Sequence, residues 1–510
     1  MDDYPLLVRH IAERAEVVHA DRALASRTQA GIERSTYAEV VGRARRLASA
    51  LRALGIGPGD RVATFAWNSI RHLELYLAVP SLGAVLHTLN IRLFEEDLHY
   101  VVGHAEDRVV FLDASLADAM PRFDGIEHEV LMPDGPGSRA GALDYEELLA
   151  GGDEAFAFPD LDERAAAAMC YTSGTTGRPK GVVYSHRSTV LHSLGVLVPD
   201  AIGLRASDAV MPVVPMFHAN AWGIPYAAAL AGSRLVFPGP RMAPGELAEL
   251  IAAERVTRSA AVPTVWQGML ELDPPPDLST LVEIKCGGSA VPESLIRAFD
   301  ERFGVPIVQG WGMTETSPLA ATSRLPPEED VDDDEGYFLR SCQGKVVPLV
   351  EFRIDEEAGG ELQVRGPWIA RAYYGGEGAD RFTDDGWLRT GDVAEIRHGS
   401  YIRLVDRTKD LVKSGGEWIS SVELENSIMA HPDVLEAAVV AVPDERWGER
   451  PCACVVPRDG AALDADALRA FLDGKVAKWW LPDRVEFLDE VPKTSVGKFD
   501  KKALRSRFSA

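Results

Sequence analysis

Tyr171-Thr-Ser-Gly-Thr-Thr-Gly-Arg-Pro-Lys180-Gly-Val-Val-Tyr-Ser-His186 decides how the rest of the chain is read. An apolar run from Ala165 to Tyr171 gives way to hydroxyls and glycines, and a second apolar run, Val182 to Tyr184, follows. The pattern predicts strand, polar loop, strand. Gly174 and Gly177 can take positive φ and let the backbone approach a ligand, while Thr172, Ser173, Thr175 and Thr176 offer hydroxyl donors and Lys180 a positive charge. Those are polyphosphate-binding groups. The spacing is not G-x-x-x-x-G-K-S/T, and Pro179 opposes a helix opening at the lysine, so the Walker type is excluded. Composition alone would equally suit a solvated surface loop.

The order of residues in this stretch closely resembles the signature loop of the adenylate-forming superfamily. That group holds acyl- and aryl-CoA synthetases, the adenylation domains of nonribosomal peptide synthetases and firefly-type luciferases. The resemblance implies an α/β fold: a large N-terminal domain of parallel-rich sheets and helices with a β-barrel-like part, then a small mobile α+β domain. It places the N-terminal ATP- and acyl-binding domain at 1–406, a hinge at 407–410 and the C-terminal domain at 411–510.

Length and composition agree with this. A chain of 510 residues is long for one domain, and 46% apolar with 26% charged residues is ordinary globular composition. The net charge of −25 disfavours a nucleic-acid partner. The N-terminus, Met1-Asp-Asp-Tyr-Pro, has no basic region ahead of an apolar stretch, and no run approaches the ~18 apolar residues that span a bilayer. A cytoplasmic chain without an integral membrane segment is expected. The five cysteines, Cys170, Cys286, Cys342, Cys452 and Cys454, lack C-x-x-C pairs and read as reduced core thiols.

Upstream of the loop, helix and strand alternate. Ala38 to Leu54 puts Val41, Ala44, Leu47, Ala48, Leu51 and Leu54 on one helical face, and Arg61 to Trp67 reads as a buried strand. Helices over Arg71 to Ala84 and Glu95 to His104 and a strand at Val109 to Leu112 continue the pattern of a covered parallel sheet. Gly83 to Leu93 resembles the matching segment of bacterial medium- and long-chain fatty acyl-CoA synthetases, with Ile91 where a proline is commoner.

Downstream, Ala209 to Gly223 runs from a strand into a helix start and carries His218 and Trp222. The resemblance puts His218 beside the substrate carboxylate and Trp222 at a tunnel gate; core packing is the alternative for each. Cys286-Gly287-Gly288-Ser289 follows a strand, and the small residues leave room for a ligand; the resemblance lays Gly287 along the acyl pocket and Gly288 and Ser289 along the adenine. A strand at Val305 to Gln309 leads into Gly310-Trp311-Gly312-Met313-Thr314-Glu315. A carboxylate beside a hydroxyl just past a strand can bind a divalent ion. By resemblance Glu315, with Thr172, holds Mg²⁺, Thr314 contacts phosphate, and Gln309, Gly310, Trp311, Gly312 and Met313 line the nucleotide with Trp311 on the adenine. Glu328 to Glu335 is expected to be a solvated acidic loop, and Glu351 to Gly366 two antiparallel strands. Asp392, after Thr390-Gly391, can accept two ribose hydroxyls.

Asp406-Arg407-Thr408-Lys409-Asp410 resembles the family's interdomain linker, with Arg407 toward ribose or phosphate and Lys409 as the hinge. Ser414-Gly415-Gly416-Glu417-Trp418 takes the form found in acyl-CoA synthetases, where it lies against the pantetheine arm of CoA. Beyond it a small α+β domain is expected: a helix at Val422 to Ala430, strands at Ala437 to Val442 and Cys452 to Val456, a helix from Asp464 to Val476 and a strand at Arg484 to Leu488. Gly497-Lys498 matches the adenylation lysine, in a tail that otherwise reads as solvated. The implied catalytic set is Lys498, His218, Glu315 and Thr172, acting on a carboxylic acid, ATP and CoA. The acid would be a medium- or long-chain fatty acid, with short thioether or aryl acids and a luciferase-like activity as alternatives. A homodimer is implied as well.

Overall fold

A computed structural model describes residues 3–172, 178–325, 332–357, 359–407, 409–415, 417–493 and 499–508. Two large sheets form the main body. The first runs Leu143–Asp144, His128–Met132, Asp107–Asp113, Arg61–Phe65, Val85–Thr88, Ala166–Tyr171, Gly181–Ser185; its neighbours are parallel except the last pair. The second has nine strands, parallel from Ile307–Gly312 through Glu283–Gly287, Arg258–Ala261, Ala209–Pro212 and Arg234–Phe237 to Ala23–Thr28, and antiparallel at both edges. Parallel strands covered on both faces are apolar throughout, which is why Arg61 to Phe65 shows no alternation.

Helix Tyr37–Ala53 begins at a capping box: the Thr36 side chain accepts from the Glu39 amide and the Glu39 carboxylate from the Thr36 amide. Its Val40, Val41, Leu47 and Leu51 are fully buried, each contributing about 1.5–3 kcal/mol on leaving water. Leu54, expected on that face, instead ends the helix. Helix Ile70–Leu82 contacts strands of both large sheets, and its buried residues run all round it.

A four-stranded antiparallel meander, Glu351–Asp355, Glu361–Arg365, Leu388–Arg397 and Tyr401–Arg407, stands where the barrel-like part was expected. Residues beyond it build a separate five-stranded sheet. Its hairpin Val434–Asp444 and Gly448–Pro457 is longer than the sequence indicates, and Arg484–Phe487 joins it in parallel. Two apolar clusters made only of residues after 411 cover its faces. The fold is therefore a large α/β domain followed by a smaller α+β one.

Three expectations need correction. The acidic run is not all loop: Asp332 caps helix Asp333–Ser341, and Asp333, Asp334 and Glu335 form its first turn, where negative charge suits the helix N-terminus. Residues 326–331 lie outside the described ones. The strand expected to stop at Gln309 runs Ile307–Gly312, because Leu319–Thr322 pairs with its far end. The helix expected to reach Val476 ends at Leu472, before Gly474 at φ +82°. All five cysteines are buried and free, and among the described residues no helix is long and apolar enough to cross a membrane.

Candidate active site

The opening stretch forms a hairpin. Strands Ala166–Tyr171 and Gly181–Ser185 pair antiparallel with Tyr171 opposite Gly181. The Thr172 amide donates to the Lys180 carbonyl at 2.9 Å, and the Lys180 amide to the Thr172 hydroxyl at 3.0 Å. Thr172 and Lys180 thus pin the base of the loop. Ser173, Gly174, Thr175, Thr176 and Gly177 lie outside the described residues. The Lys180 ammonium sits 5.5 Å from the centre of the Tyr373 ring.

Tyr373 links this loop to the expected metal carboxylate. Its hydroxyl donates to Glu315 Oε1 at 2.5 Å, and burial, with Glu315 next, raises the phenol's pKa, so the proton stays on Tyr373. Glu315 occupies the one-turn helix Thr314–Thr316 just beyond strand Ile307–Gly312. Tyr184 donates to the Thr314 carbonyl at 2.7 Å and the Ala370 amide to the Glu315 carbonyl at 2.8 Å, so neighbouring elements fix both residues. Among the described residues no three His, Cys, Asp or Glu side chains cluster as metal ligands. One buried carboxylate, tied through Tyr373 to the base of the Thr172–Lys180 loop, fits a magnesium ion that would take its remaining ligands from phosphate and water.

The residues expected at the nucleotide stand on the next strands. Gly310 stands opposite Gly287 across two parallel strands, and a Cβ on Gly287 would come within 2.4 Å of the Gly310 carbonyl oxygen and 3.3 Å of the Trp222 indole. Only glycine fits where Trp222 approaches. Gly312 is tighter still, 1.6 Å from the Pro318 oxygen by the same construction. Gly288, at φ +85°, and Ser289 are exposed on the turn. Gln309 is buried, and its side-chain oxygen accepts from the Val291 amide at 3.2 Å, which ties that turn to the strand. Met313 is half-buried.

Trp311 donates from Nε1 to Asp392 Oδ2 at 3.2 Å. Arg407 Nε lies 2.6 Å from Asp392 Oδ1. The three residues expected around the adenosine therefore meet in one hydrogen-bonded set, with Asp392 almost wholly buried. Lys409 is exposed, yet desolvation by the protein around it lowers its pKa, with Asp410 opposing.

The segment around His218 and Trp222 takes an unusual course. Ala219, Asn220, Ala221 and Trp222 all have positive φ, between 42° and 58°, and Gly223 follows at 72°. Side-chained residues other than Asn rarely adopt this left-handed region. Cys170 Sγ donates to Asn220 Oδ1 at 2.9 Å, and a Cβ on Gly223 would fall 2.5 Å from the His192 ring. His218 and Trp222 are both half-buried.

In the small domain, Val412–Ser414 and Glu417–Ile419 form a tight hairpin with Ser414 opposite Glu417. Gly415 turns it at φ +62°, and a Cβ there would lie 2.8 Å from the Trp447 ring. Arg450 Nη1 donates to Ser414 Oγ at 3.0 Å, and Trp418 is exposed. Gly416 and Lys498 are outside the described residues, as is the Glu417 side chain. The sequence reading missed Tyr373; the only signal was an aromatic pair, Tyr373-Tyr374, ahead of two glycines.

The AMP-binding enzyme family profile matches residues 11–374, and the profile of its C-terminal domain matches residues 423–498. The chain belongs to the AMP-binding enzyme family. It is 47% identical to a long-chain-fatty-acid–CoA ligase of Thermus thermophilus over 100% of this chain and 96% of that one. It is 45% identical to a 3-methylmercaptopropionyl-CoA ligase of Ruegeria pomeroyi, over 99% and 97%. The crystal structure of an anthranilate CoA ligase in complex with anthranoyl-AMP superposes with a TM-score of 0.88 at 25% identity, covering 99% of both chains.

Proposed function

We propose that this chain is an AMP-forming acid–CoA ligase that activates a medium- or long-chain fatty acid as acyl-AMP and passes the acyl group to the CoA thiol. The observation that carries the reading is the convergence of the Thr172–Lys180 loop, the Tyr373–Glu315 pair and the Trp311–Asp392–Arg407 set.

The substrate carboxylate attacks the α-phosphorus, and the chain's task is to align the two and neutralise charge without a protein nucleophile. Thr172, Ser173, Thr175 and Thr176 donate to phosphate oxygens, Lys180 and Lys498 place positive charge there, and His218 faces the carboxylate. Magnesium, when bound, neutralises phosphate charge, and Glu315 and Thr172 would hold it. Asp392 takes the ribose hydroxyls, Trp311 lies on the adenine, and Gly288 and Ser289 leave space for it. The small domain, 411–510, then turns about 407–410 with Lys409 as the pivot. That movement withdraws Lys498 and brings Ser414 to Trp418 against the pantetheine arm, while water stays excluded from the mixed anhydride. We place the protein in the cytoplasm, as a homodimer.

Trp222 against Gly287 makes the acyl pocket's wall, and the relative named for long-chain fatty acids supports an aliphatic acid. The relative named for 3-methylmercaptopropionate supports a second reading, a short thioether acid. Pyrophosphate release and acyl-CoA formation across saturated acids from acetate to palmitate, with 3-methylmercaptopropionate, benzoate and cinnamate alongside, test both. A CoA-dependent maximum at a medium or long aliphatic acid supports the first reading, a maximum at the thioether the second, and no acyl-CoA from any acid rejects the ligase.

A further inference from the structure

The helix Lys501–Phe508 follows the expected adenylation lysine. Its first residue is not solvated. Lys501 Nζ donates to Glu425 Oε1 at 2.7 Å and to Ser421 Oγ at 2.6 Å, both on helix Ser421–Met429. The Ser421 amide in turn donates to Asp406 Oδ2 at 2.5 Å. Asp406 belongs to strand Tyr401–Arg407, on the large-domain side of the hinge. Four residues after Lys501, Arg505 Nη1 reaches Asp410 Oδ1 at 2.5 Å, at the other end of the hinge.

One short helix therefore holds both ends of the 407–410 segment, through Asp410 directly and through Ser421 to Asp406. Turning the small domain about the hinge moves Ser421 away from Asp406, which leaves the buried carboxylate with only the Arg407 amide, at 2.7 Å, of these two donors. Among the described residues the junction is also braced by the Ser420 hydroxyl, which donates to the Val405 carbonyl, and by Arg458 with Glu271 at 3.2 Å. Helix Ser421–Met429 faces the large domain across a cleft of about 490 Å³, bridged beside it by Arg403 and Glu423 at 2.9 Å. The groups facing Lys501 are the carboxylates of Glu425, Asp406 and Asp410, with Arg407, Lys409 and Arg505 around the same hinge. Burial raises the pKa of both Asp406 and Glu425, and Lys501 is the foremost opposing charge on each.

We propose that Lys501 is a positioning residue: with Arg505 it latches the small domain in the orientation seen here, and the latch must open for the domain to turn between the two half-reactions. The latch ties the segment carrying Lys498 to the hinge it must move about. The proposal rests on the ligase reading for its half-reactions, but the latch itself is measurable without turnover.

The full-length chain with Lys501→Met, Lys501→Arg or Asp406→Asn tests this. The first readout is tryptic cleavage within 407–413 under native conditions, compared with thermal unfolding of the same protein. An open latch raises that cleavage at least about fivefold for Lys501→Met and Asp406→Asn, with Lys501→Arg near wild type. The second readout, with ATP and dodecanoate, is pyrophosphate release against CoA transfer from supplied dodecanoyl-AMP. The ratio of these rates shifts at least about fivefold in Lys501→Met and returns in Lys501→Arg. If Lys501→Met does not fold, Asp406→Asn decides both. Unchanged hinge cleavage overturns the latch, as does an equal fall in both half-reactions. Raised cleavage with no turnover of any acid by the wild type keeps the latch and rejects the ligase reading instead.

Discussion

Arg407 Nε lies 2.6 Å from Asp392 Oδ1, so the first residue of the expected hinge and the expected ribose ligand hold each other. The other carboxylate oxygen of Asp392 takes the Trp311 indole proton at 3.2 Å. A nucleotide that bonds Asp392 through its ribose must share the carboxylate with these donors or displace one. On the proposed reading, the hinge and the nucleotide would be coupled through this one side chain.

Asp392→Asn keeps the shape but removes the charge that Arg407 pairs with. The KM for ATP in pyrophosphate release should rise about 10- to 100-fold, the equivalent of one charge-assisted hydrogen bond or two. An unchanged KM would remove Asp392 from the nucleotide site.

Tyr373→Phe deletes one hydroxyl and leaves Glu315 without its 2.5 Å donor. The carboxylate then loses its fixed direction. Acyl-AMP formation should fall about 3- to 30-fold, with a higher magnesium concentration at half-maximal rate and little change in thermal stability. Titrating magnesium against pyrophosphate release in the two proteins checks this.

Lys498→Ala should abolish acyl-AMP formation and leave CoA transfer from supplied acyl-AMP largely intact. Equal loss of both would reassign the lysine.

Glu425 gives the pH prediction. Burial pushes its carboxyl from an ordinary 4.5 up to about 7, because desolvation outweighs the Lys501 ammonium. Between those values the folded chain binds more protons than the unfolded one, so this group's contribution to stability falls as pH rises from about 4.5 to 7. Glu425→Gln should flatten that part of the stability–pH curve, measured by urea unfolding at steps across the range.

Trp222→Ala opens the space beside Gly287. The preferred acid should lengthen by several methylenes, each worth about 0.8 kcal/mol of binding. A chain-length profile of acyl-CoA formation identical to wild type would make Trp222 a packing residue.

What could be read in advance followed the type of signal. The hairpin around Thr172 and Lys180 was legible because apolar runs bracket a polar turn. Glu315, Asp392 and Arg407 were marked by motifs, although the pairing of Asp392 with Arg407 was not: a motif names side chains, and only the sheet register brings Asp392 opposite Arg407. Tyr373 was missed because its partner is 58 residues away, a separation without period or spacing. Lys501 was taken for solvated tail, since a lysine among lysines carries no mark of burial until Glu425 is placed beside it. The helical start of the acidic run was hidden because local charge repulsion and helix capping read alike in sequence.

The left-handed run from Ala219 to Trp222 has a bearing on how the molecule assembles. Three of those four residues have no backbone preference for the shape they hold, at about 1–2 kcal/mol each. Nothing local would form it. It depends on Cys170 being in place to bond Asn220, and on His192 being seated above Gly223, contacts that reach 50 and 31 residues back along the chain. Residues 219–222 are accordingly shaped by their neighbours in space, a keystone held only while the arch around it stands.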